Sequence, residues 1–230
     1  MTPLVLLPGM MCDARLYAPQ IAAFSGSRAV HCAPIGAHDS MPALARDVLA
    51  NAPPRFALVG LSMGGIVAME VVRQAPERVD RLALLDTNPF AEDEAKRCGR
   101  AVQIEKAVSG NLAEVIREDM KPNYLADGPD RARILDLCMD MALALGPDVF
   151  VRQSLALRDR NDQSDTLRQY DGKTLVLCGE ADVLCPVARH VAMHEMLPNS
   201  TLAVIRDAAH LPTLEQPDAT NAALARWLEV

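Results

Sequence analysis

The stretch that decides the fold is Phe56-Ala57-Leu58-Val59-Gly60-Leu61-Ser62-Met63-Gly64-Gly65, an apolar run that leads straight into Gly-x-Ser-x-Gly. A continuous apolar run of this length is typical of a strand covered on both faces of a parallel sheet. The next segment, 64–74, is rich in small and apolar residues and is predicted to be a helix that stops before Pro76. The sequence therefore places Ser62 on a sharp turn between a buried strand and a helix.

A serine on such a turn is a candidate nucleophile. The turn forces the serine into a strained backbone conformation and lifts its hydroxyl clear of the sheet. Side chains at positions 60 and 64 would collide with the neighbouring backbone, so glycine is needed at both. Two other interpretations are a helix-capping serine and a phosphate-binding loop, but such a loop would carry Lys after its last glycine, where Ile66 stands.

Strand and helix alternate on both sides of this turn, which predicts an open, mostly parallel α/β sheet of about six strands flanked by helices. The predicted strands are Leu4–Leu7, Ala29–Ala33, Phe56–Leu61, Leu82–Leu85, Leu175–Cys178 and Leu202–Ile205. The predicted helices outside the middle of the chain are 15–24, 41–49, 64–74, 187–196 and 219–228. Residues 88–166 show only helical periodicity, so we predict a core of residues 1–87 and 167–230 with a helical cap at 88–166.

A serine nucleophile needs a base, and His210 is the best-placed histidine for that role. It follows the last predicted strand directly, and the C-terminal ends of parallel strands meet at one edge of the sheet. His31 falls inside a predicted strand and His38 in an early loop.

His190 and His194 lie four residues apart on a predicted helix, the spacing of a metal-binding pair. The glutamate of the zinc-protease motif is missing between them, and no third ligand is evident. We therefore expect no metal site here and interpret the pair as part of a solvent-exposed helix face.

Asp182 is the predicted acid that orients the base. It belongs to Gly179-Glu180-Ala181-Asp182, directly after a predicted strand, again at the C-terminal edge of the sheet. Asp86, which closes the strand 82–85, is the rival acid, and Glu180 is a weaker one. A plain surface turn would also explain Asp182, because aspartate is common in turns.

The composition argues against several classes of partner. The 230-residue chain has 23 basic and 30 acidic residues and a formal net charge of −7, which disfavours nucleic acids and anionic membranes. No apolar run approaches the roughly 20 residues of a membrane-spanning helix, and no signal peptide is recognisable, so we expect a cytoplasmic protein. The cysteines are spread singly and are expected to be buried apolar residues: Cys12, Cys32, Cys98, Cys138, Cys178 and Cys185.

Five segments together resemble the α/β-hydrolase superfamily, in its branch of small carboxylesterases with a helical cap. They are Leu6-Leu7-Pro8-Gly9-Met10, Gly60–Gly65, Leu84–Thr87, Gly179–Asp182 and His210–Pro217. The sequence is similar to the group that holds pimeloyl-ACP methyl ester esterases and enol-lactone hydrolases. The chain order Ser62, Asp182, His210 is also the order of nucleophile, acid and base in that superfamily.

The resemblance implies an oxyanion site made by the backbone N–H groups of Met10 and Met63, and it implies no metal or organic cofactor. Two departures stand out. Relatives often carry His-Gly where this chain has Pro8-Gly9. The chain also opens on the strand that is usually third in the fold, so we expect the N-terminal antiparallel hairpin to be absent and one sheet edge to be open.

The predicted function is hydrolysis of a small-molecule ester through an acyl-enzyme on Ser62. A lactonase, thioesterase, C–C bond hydrolase or cofactor-free perhydrolase would use the same three residues, and a non-catalytic ligand receptor on this fold is a further alternative. The pocket is expected between the sheet edge and the cap, with Met10, Met11 and Met63 as candidates for its wall. The sequence leaves the oligomeric state open.

Overall fold

Six parallel strands form one sheet in the computed structural model, which describes residues 1–229. In chain order the strands are β1 (Leu4–Leu7), β2 (Val30–Cys32), β3 (Phe56–Leu61), β4 (Val79–Leu85), β5 (Lys173–Gly179) and β6 (Ser200–Ile205). They lie in the order β2-β1-β3-β4-β5-β6, with every neighbouring pair parallel. The predicted fold class is confirmed, and no antiparallel hairpin is found within residues 1–229.

Helices connect these strands. They are α1 (Ala18–Phe24), α2 (Met41–Asn51), α3 (Met63–Gln74), α4 (Glu94–Lys106), α5 (Leu112–Glu114), α6 (Arg131–Arg158), α7 (Ser164–Gln169), α8 (Val187–Met196), α9 (Pro212–Glu215) and α10 (Pro217–Glu229). Shorter helical turns are Ala14–Tyr17, Pro76–Arg78, Ala107–Asn111, Val115–Met120 and Lys121–Asn123.

The sheet has an apolar layer on each face, which explains its continuous apolar strands. Successive side chains of a strand point to opposite faces. Accordingly, Val5 and Leu58 pack in one cluster with residues of α2 and α3, whereas Leu6 and Val59 pack in the other, which includes Trp227 of α10. Both faces are therefore covered, as the pattern of β3 predicts.

Several strand and helix boundaries differ from the prediction. β4 begins three residues earlier than expected because its polar start is paired: Asp80 forms an ion pair with Arg55 at 2.9 Å, and Arg81 donates to the carbonyl of Trp227 at 2.8 Å. The helix expected over 15–24 is split into the turn Ala14–Tyr17 and α1. Pro19 has no N–H with which to continue a helix that began at Arg15.

The segment between β4 and β5 is helical throughout its regular structure, and we call residues 88–166 the helical insertion. Its longest helix, α6, breaks at Gly146, which has a φ of 79° and precedes Pro147. The division of the chain into a core and a cap with the predicted boundaries stays a prediction. No helix within residues 1–229 combines the length and the apolar character needed to cross a membrane.

The expectation that all six cysteines are buried is wrong for two of them. Cys98 is exposed on α4, and Cys32 is partly exposed at the end of the edge strand β2. Helix α4 buries none of its residues fully, so a cysteine on it has no core to enter. The other four are buried, and all six are free thiols.

Candidate active site

Ser62 lies on the turn between β3 and α3 with φ 54° and ψ −116°, a strained conformation for a residue with a side chain. Its neighbours hold it there: its N–H donates to the carbonyl of Leu85 at 2.9 Å, and Thr87 Oγ1 donates to its carbonyl at 2.8 Å. A Cβ at Gly64 would collide with the carbonyl of Leu7. A Cβ at Gly60 would likewise meet the backbone of residue 64, so the expected need for two glycines agrees with the structure.

His210 lies within hydrogen-bond distance of Ser62 and of Asp182. Its Nε2 is 3.0 Å from Ser62 Oγ, and its Nδ1 is 2.8 Å from Asp182 Oδ2. A carboxylate can only accept, so Nδ1 carries the proton and Nε2 is free to accept from the serine hydroxyl. The structure thus brings together three residues that are far apart in the sequence and were predicted as nucleophile, base and acid.

The loop that carries His210 is fixed by neighbours on both sides. The carboxylate of Glu215 on α9 accepts from the N–H groups of Ala209 and Leu211, which flank the histidine. From the helical insertion, the backbone carbonyl of Tyr124 accepts from the backbone N–H of His210 at 2.9 Å, and the Tyr124 ring stacks on the imidazole with centroids 6.2 Å apart. These contacts hold the imidazole between the serine and the aspartate.

Asp182 is buried and ionised. Burial by itself would raise its pKa, but hydrogen bonds from His210 and from the N–H groups of Leu184 and Cys185 outweigh burial and leave the pKa below its ordinary value. The side chain is therefore a carboxylate held by three donors, and a plain surface turn does not describe it.

Asp86, the rival acid, is also buried but makes no hydrogen bond to His210. Its Oδ1 accepts from the Gly179 N–H at 2.9 Å, whereas Oδ2 has no donor within residues 1–229. Burial, and after it the negative charge of Asp182, raises the pKa of Asp86 well above its ordinary value. Burial and the neighbouring charge of Asp182 thus favour the neutral form of Asp86. The weaker candidate, Glu180, is exposed.

The N–H groups of Met10 and Met63 are free, as the implied oxyanion site requires. Met63 is the first residue of α3, so its N–H has no acceptor in the helix. The Met10 N–H has no acceptor within residues 1–229, whereas the next N–H, that of Met11, is held by Gln153 Oε1 at 2.8 Å. Gln153 lies on α6, so the helical insertion fixes the backbone beside Met10.

A cavity of about 520 Å³ opens over Ser62 and His210, a volume in the usual range for small-molecule sites. The ends of the strands form one side, and residues of the helical insertion, including Tyr124 and Leu157, form the other. Of the three methionines expected in its wall, Met10 lines the cavity. That expectation is wrong for Met11 and Met63, whose side chains are packed in the hydrophobic core.

Sequence reasoning missed the contributions of the helical insertion, namely Tyr124, Gln153 and the charged residues of the cavity. Their segment carries only helical periodicity, which shows which residues face inward but not which of them meet the active site. A polar residue in an apolar stripe, such as Gln153 in α6, is the one feature of the sequence that could have indicated such a contact.

The interpretation of His190 as solvent-exposed is wrong. It is fully buried on α8, where its Nε2 accepts from the Thr87 N–H at 3.1 Å and its Nδ1 lies 3.3 Å from the carbonyl of Pro186. Burial lowers its pKa to about 4, so it is neutral. His194 is partly exposed and pairs with Ser200 Oγ at 2.7 Å.

One group of side chains has metal-ligand spacing within residues 1–229: atoms of Asp182, Cys185 and His210 lie within 4.8 Å of one another. A metal there would have to displace the hydrogen bond between Asp182 and His210. Burial also raises the pKa of Cys185 to about 12, so its sulfur is a protonated thiol and a poor ligand. The donor set fits the serine–histidine–aspartate arrangement better than a metal centre.

Comparison with known proteins gives consistent matches over nearly the whole chain. Two curated relatives are pimeloyl-[acyl-carrier protein] methyl ester esterases. The one from Aliivibrio salmonicida is 26% identical and covers 98% of this chain and 92% of its own length. The one from Pectobacterium carotovorum is 28% identical and covers 95% and 91%.

Among solved structures, a thermophilic esterase from Thermogutta terrifontis, solved with malate bound, superposes with a TM-score of 0.91 at 26% identity over 99% of this chain and 89% of that one. The enol-lactonase from Burkholderia xenovorans has a TM-score of 0.88 at 21% identity over 100% and 92%, which supports the fold alone. Residues 4–223 match the Alpha/beta hydrolase family. Because that match spans nearly the whole chain, the protein belongs to the alpha/beta hydrolase family.

Proposed function

We propose that this protein hydrolyses small carboxylic esters through an acyl-enzyme on Ser62, with His210 as base and Asp182 as acid. The observation that carries the proposal is the unbroken row of hydrogen bonds from Ser62 through His210 to Asp182 at the floor of a cavity. The names of two matched relatives, methyl ester esterases, support an ester as the substrate class.

Acylation begins when Ser62 Oγ attacks the ester carbonyl carbon. His210 Nε2, 3.0 Å away, takes the serine proton and becomes an imidazolium, which the carboxylate of Asp182 stabilises. The oxyanion of the tetrahedral intermediate accepts from the N–H groups of Met10 and Met63. Each such donor is worth roughly 2.7–4 kcal/mol of transition-state stabilisation in enzymes where one has been removed.

The intermediate collapses when His210 returns its proton to the alkoxide leaving group, which departs as an alcohol. Water then attacks the acyl-serine carbonyl while His210 takes its proton. The second intermediate collapses when His210 returns this proton to Ser62 Oγ, which releases the carboxylic acid and restores the Ser62 hydroxyl. Each proton transfer runs through His210 Nε2, and the ester and one water molecule are the only reactants in this mechanism.

Ester hydrolysis is favoured over a receptor role because the strained Ser62 turn has no packing advantage of its own. A receptor would need neither the strain nor a buried, ionised Asp182. Lactones, thioesters and other acyl donors would use the same residues, and the substrate panel below separates them. The cytoplasmic location and the lack of nucleic-acid and membrane partners, both expected from the sequence, stay predictions.

The test is turnover of p-nitrophenyl acetate and butyrate, with thioesters and lactones as a panel, by wild type and Ser62→Ala. We expect Ser62→Ala to lower kcat by about 10⁴-fold or more, because the nucleophile is gone. The thermal melting curve of the variant should stay close to that of wild type. A fluorophosphonate probe should label wild type and not the variant, and full activity in the variant would exclude Ser62 as nucleophile.

A further inference from the structure

A buried glutamate in the cavity wall is shared by two arginines. Glu92 Oε2 is 2.6 Å from Arg100 Nε and 3.1 Å from Arg160 Nη1. The Glu92 and Arg160 side chains are only 2% and 5% exposed, and Arg100 is 17% exposed. All three residues line the same cavity as Ser62 and His210.

The charges of this cluster do not balance. Two guanidinium groups face one carboxylate, which leaves one positive charge in excess. The two other charged residues of the cavity wall, Lys96 and Asp119, have opposite formal charges and cancel each other. The formal charges of the cavity wall therefore sum to one positive charge.

The guanidinium groups also have unused donors. Arg160 uses Nε for the carbonyl of Phe90 at 2.8 Å and Nη1 for Glu92, and its Nη2 has no acceptor within residues 1–229. Arg100 uses Nε for Glu92, and its Nη2 likewise has no acceptor in that range. Neither Nη2 atom is among the buried atoms that lack a partner, so both are accessible, and both residues line the cavity. A ligand in the cavity that accepts hydrogen bonds can therefore reach them.

The cluster lies close to the reacting centre. Arg100 Nη1 is 3.7 Å from the sulfur of Met10, and the backbone N–H of Met10 is one of the proposed oxyanion donors. One methionine side chain thus separates the positive cluster from the site of chemistry. Arg100, Arg160 and Ser62 line one cavity, so a single substrate can contact the cluster and the nucleophile.

We propose that Arg100 and Arg160 bind a carboxylate that the ester substrate carries, so that this enzyme acts on anionic esters. The inference rests on the proposed function and names its substrate class. A carboxylate supplies the missing negative charge and fits the planar fork of a guanidinium with two hydrogen bonds. The carboxylate can belong to the acyl part, as in a half-ester of a dicarboxylic acid, or to the alcohol part, as in an acylated hydroxy acid.

The first experiment compares kcat/KM for charged and neutral esters of equal length. Monomethyl esters of glutarate, adipate and suberate are set against methyl esters of the corresponding monocarboxylic acids. The acetyl ester of glycolate, set against ethyl acetate, tests the alcohol side. We expect wild type to prefer the charged member of at least one series about tenfold or more, the worth of a charge-assisted hydrogen bond.

Arg100→Gln should remove that preference by raising KM for the charged ester about tenfold more than KM for the neutral ester. Arg100→Lys should keep part of the preference because it keeps the charge. The matched control is Arg97→Gln, which removes a partly exposed arginine from the same helix outside the cavity wall and should leave the preference for the charged ester unchanged. A purely structural Arg100 would instead lower turnover of both esters equally.

A second measurement does not depend on turnover. Ser62→Ala protein should bind glutarate, adipate or suberate in calorimetry, and Ser62→Ala with Arg100→Gln should bind about tenfold more weakly or not at all. If wild type cleaves neutral esters as well as charged ones and Ser62→Ala binds no dicarboxylate, this inference is wrong while the esterase proposal stands. If wild type cleaves no ester at all, the proposed function itself is wrong.

Discussion

At the scale of single residues, two neighbouring aspartates at the strand ends have opposite charge states. Asp182 accepts three hydrogen bonds, which favour its ionised form, whereas burial and the charge of Asp182 raise the pKa of Asp86 and favour its neutral form. Two adjacent carboxyl groups in a buried site rarely ionise together, so the one with more donors keeps the charge. The environment, and not the residue type, makes Asp182 the better partner of His210.

The variants Asp86→Asn and Asp182→Asn test this assignment. In Asp86→Asn the new side chain has no charge, like the protonated acid, and its oxygen can still accept from the Gly179 N–H. Asparagine also tolerates the φ of 44° at this position. We expect kcat/KM of Asp86→Asn to stay within about fivefold of wild type, because no charge is lost. Asp182→Asn should lose about 10⁴-fold in kcat, as in the corresponding serine protease variant, since the imidazole is no longer held in the right tautomer.

Both proteins are assayed with the same p-nitrophenyl ester at pH 7 and checked by circular dichroism. The decisive quantity is the loss of kcat in Asp182→Asn divided by the loss of kcat in Asp86→Asn. A larger loss in Asp86→Asn than in Asp182→Asn would mean that Asp86 is the acid.

At the scale of elements, the backbone of the proposed oxyanion site depends on a helix of the insertion. Gln153 on α6 accepts from the Met11 N–H at 2.8 Å and donates to the carbonyl of Ile35 at 3.1 Å. Met11 has a φ of 54°, so the backbone beside Met10 is strained and needs such support. The helical insertion therefore supports the backbone beside Met10 and also forms part of the cavity wall.

Gln153→Met removes both hydrogen bonds with little change in volume. We expect kcat to fall about tenfold or more with little change in KM, because the Met10 N–H is no longer held for the transition state. The free energy of unfolding should also fall by about 1–3 kcal/mol, since a buried N–H and a buried carbonyl lose their partners.

Arg152→Met is the matched control for Gln153→Met. Arg152 is the preceding residue on α6 and donates to the carbonyl of Gly36 at 2.8 Å, so it ties the same helix to the same loop without touching Met11. It should lower the melting temperature and leave kcat close to wild type. Equal losses of kcat in both variants would show that Gln153 acts only through the docking of α6.

The sequence predicts those elements whose signal is local. The turn at Ser62 and the placement of His210 and Asp182 after strands follow from apolar runs, glycines and chain order. The polar start of β4 could not be predicted from the sequence, because its charged side chains are satisfied by groups that are distant in the sequence, such as the carbonyl of Trp227. His190 and the cluster around Glu92 are missed for the same reason, since only the tertiary packing buries them.

At the scale of the whole molecule, the parallel topology brings the residues of the candidate site together. β3, β5 and β6 all end at one edge of the sheet, so residues from three distant parts of the chain meet there. His190 belongs to the same edge, behind the cavity, where it links α8 to Thr87 at the end of β4. A neutral, fully buried histidine couples the stability of the fold to pH.

The sign of that coupling follows from the pKa of His190, which burial lowers from 6.5 to about 4. Between these values the unfolded chain binds a proton that the folded chain does not, so the free energy of unfolding falls as the pH falls from 6.5 towards 4. At pH 5 the loss relative to pH 7 amounts to about 2 kcal/mol for this residue alone. The loss levels off below pH 4, where the folded chain also binds the proton.

His190→Gln removes this titration and can keep both hydrogen bonds, because the glutamine oxygen can accept from the Thr87 N–H and its amide can donate to Pro186. Urea unfolding at pH 7, 6 and 5 should give a shallower fall for the variant, by about 2 kcal/mol between pH 7 and 5. Asp86 and Asp182 titrate in both proteins, so the difference between the curves isolates His190. The matched control, His194→Gln, removes a partly exposed histidine from the same helix. If it flattened the pH dependence as much as His190→Gln does, the burial of His190 would not be the cause.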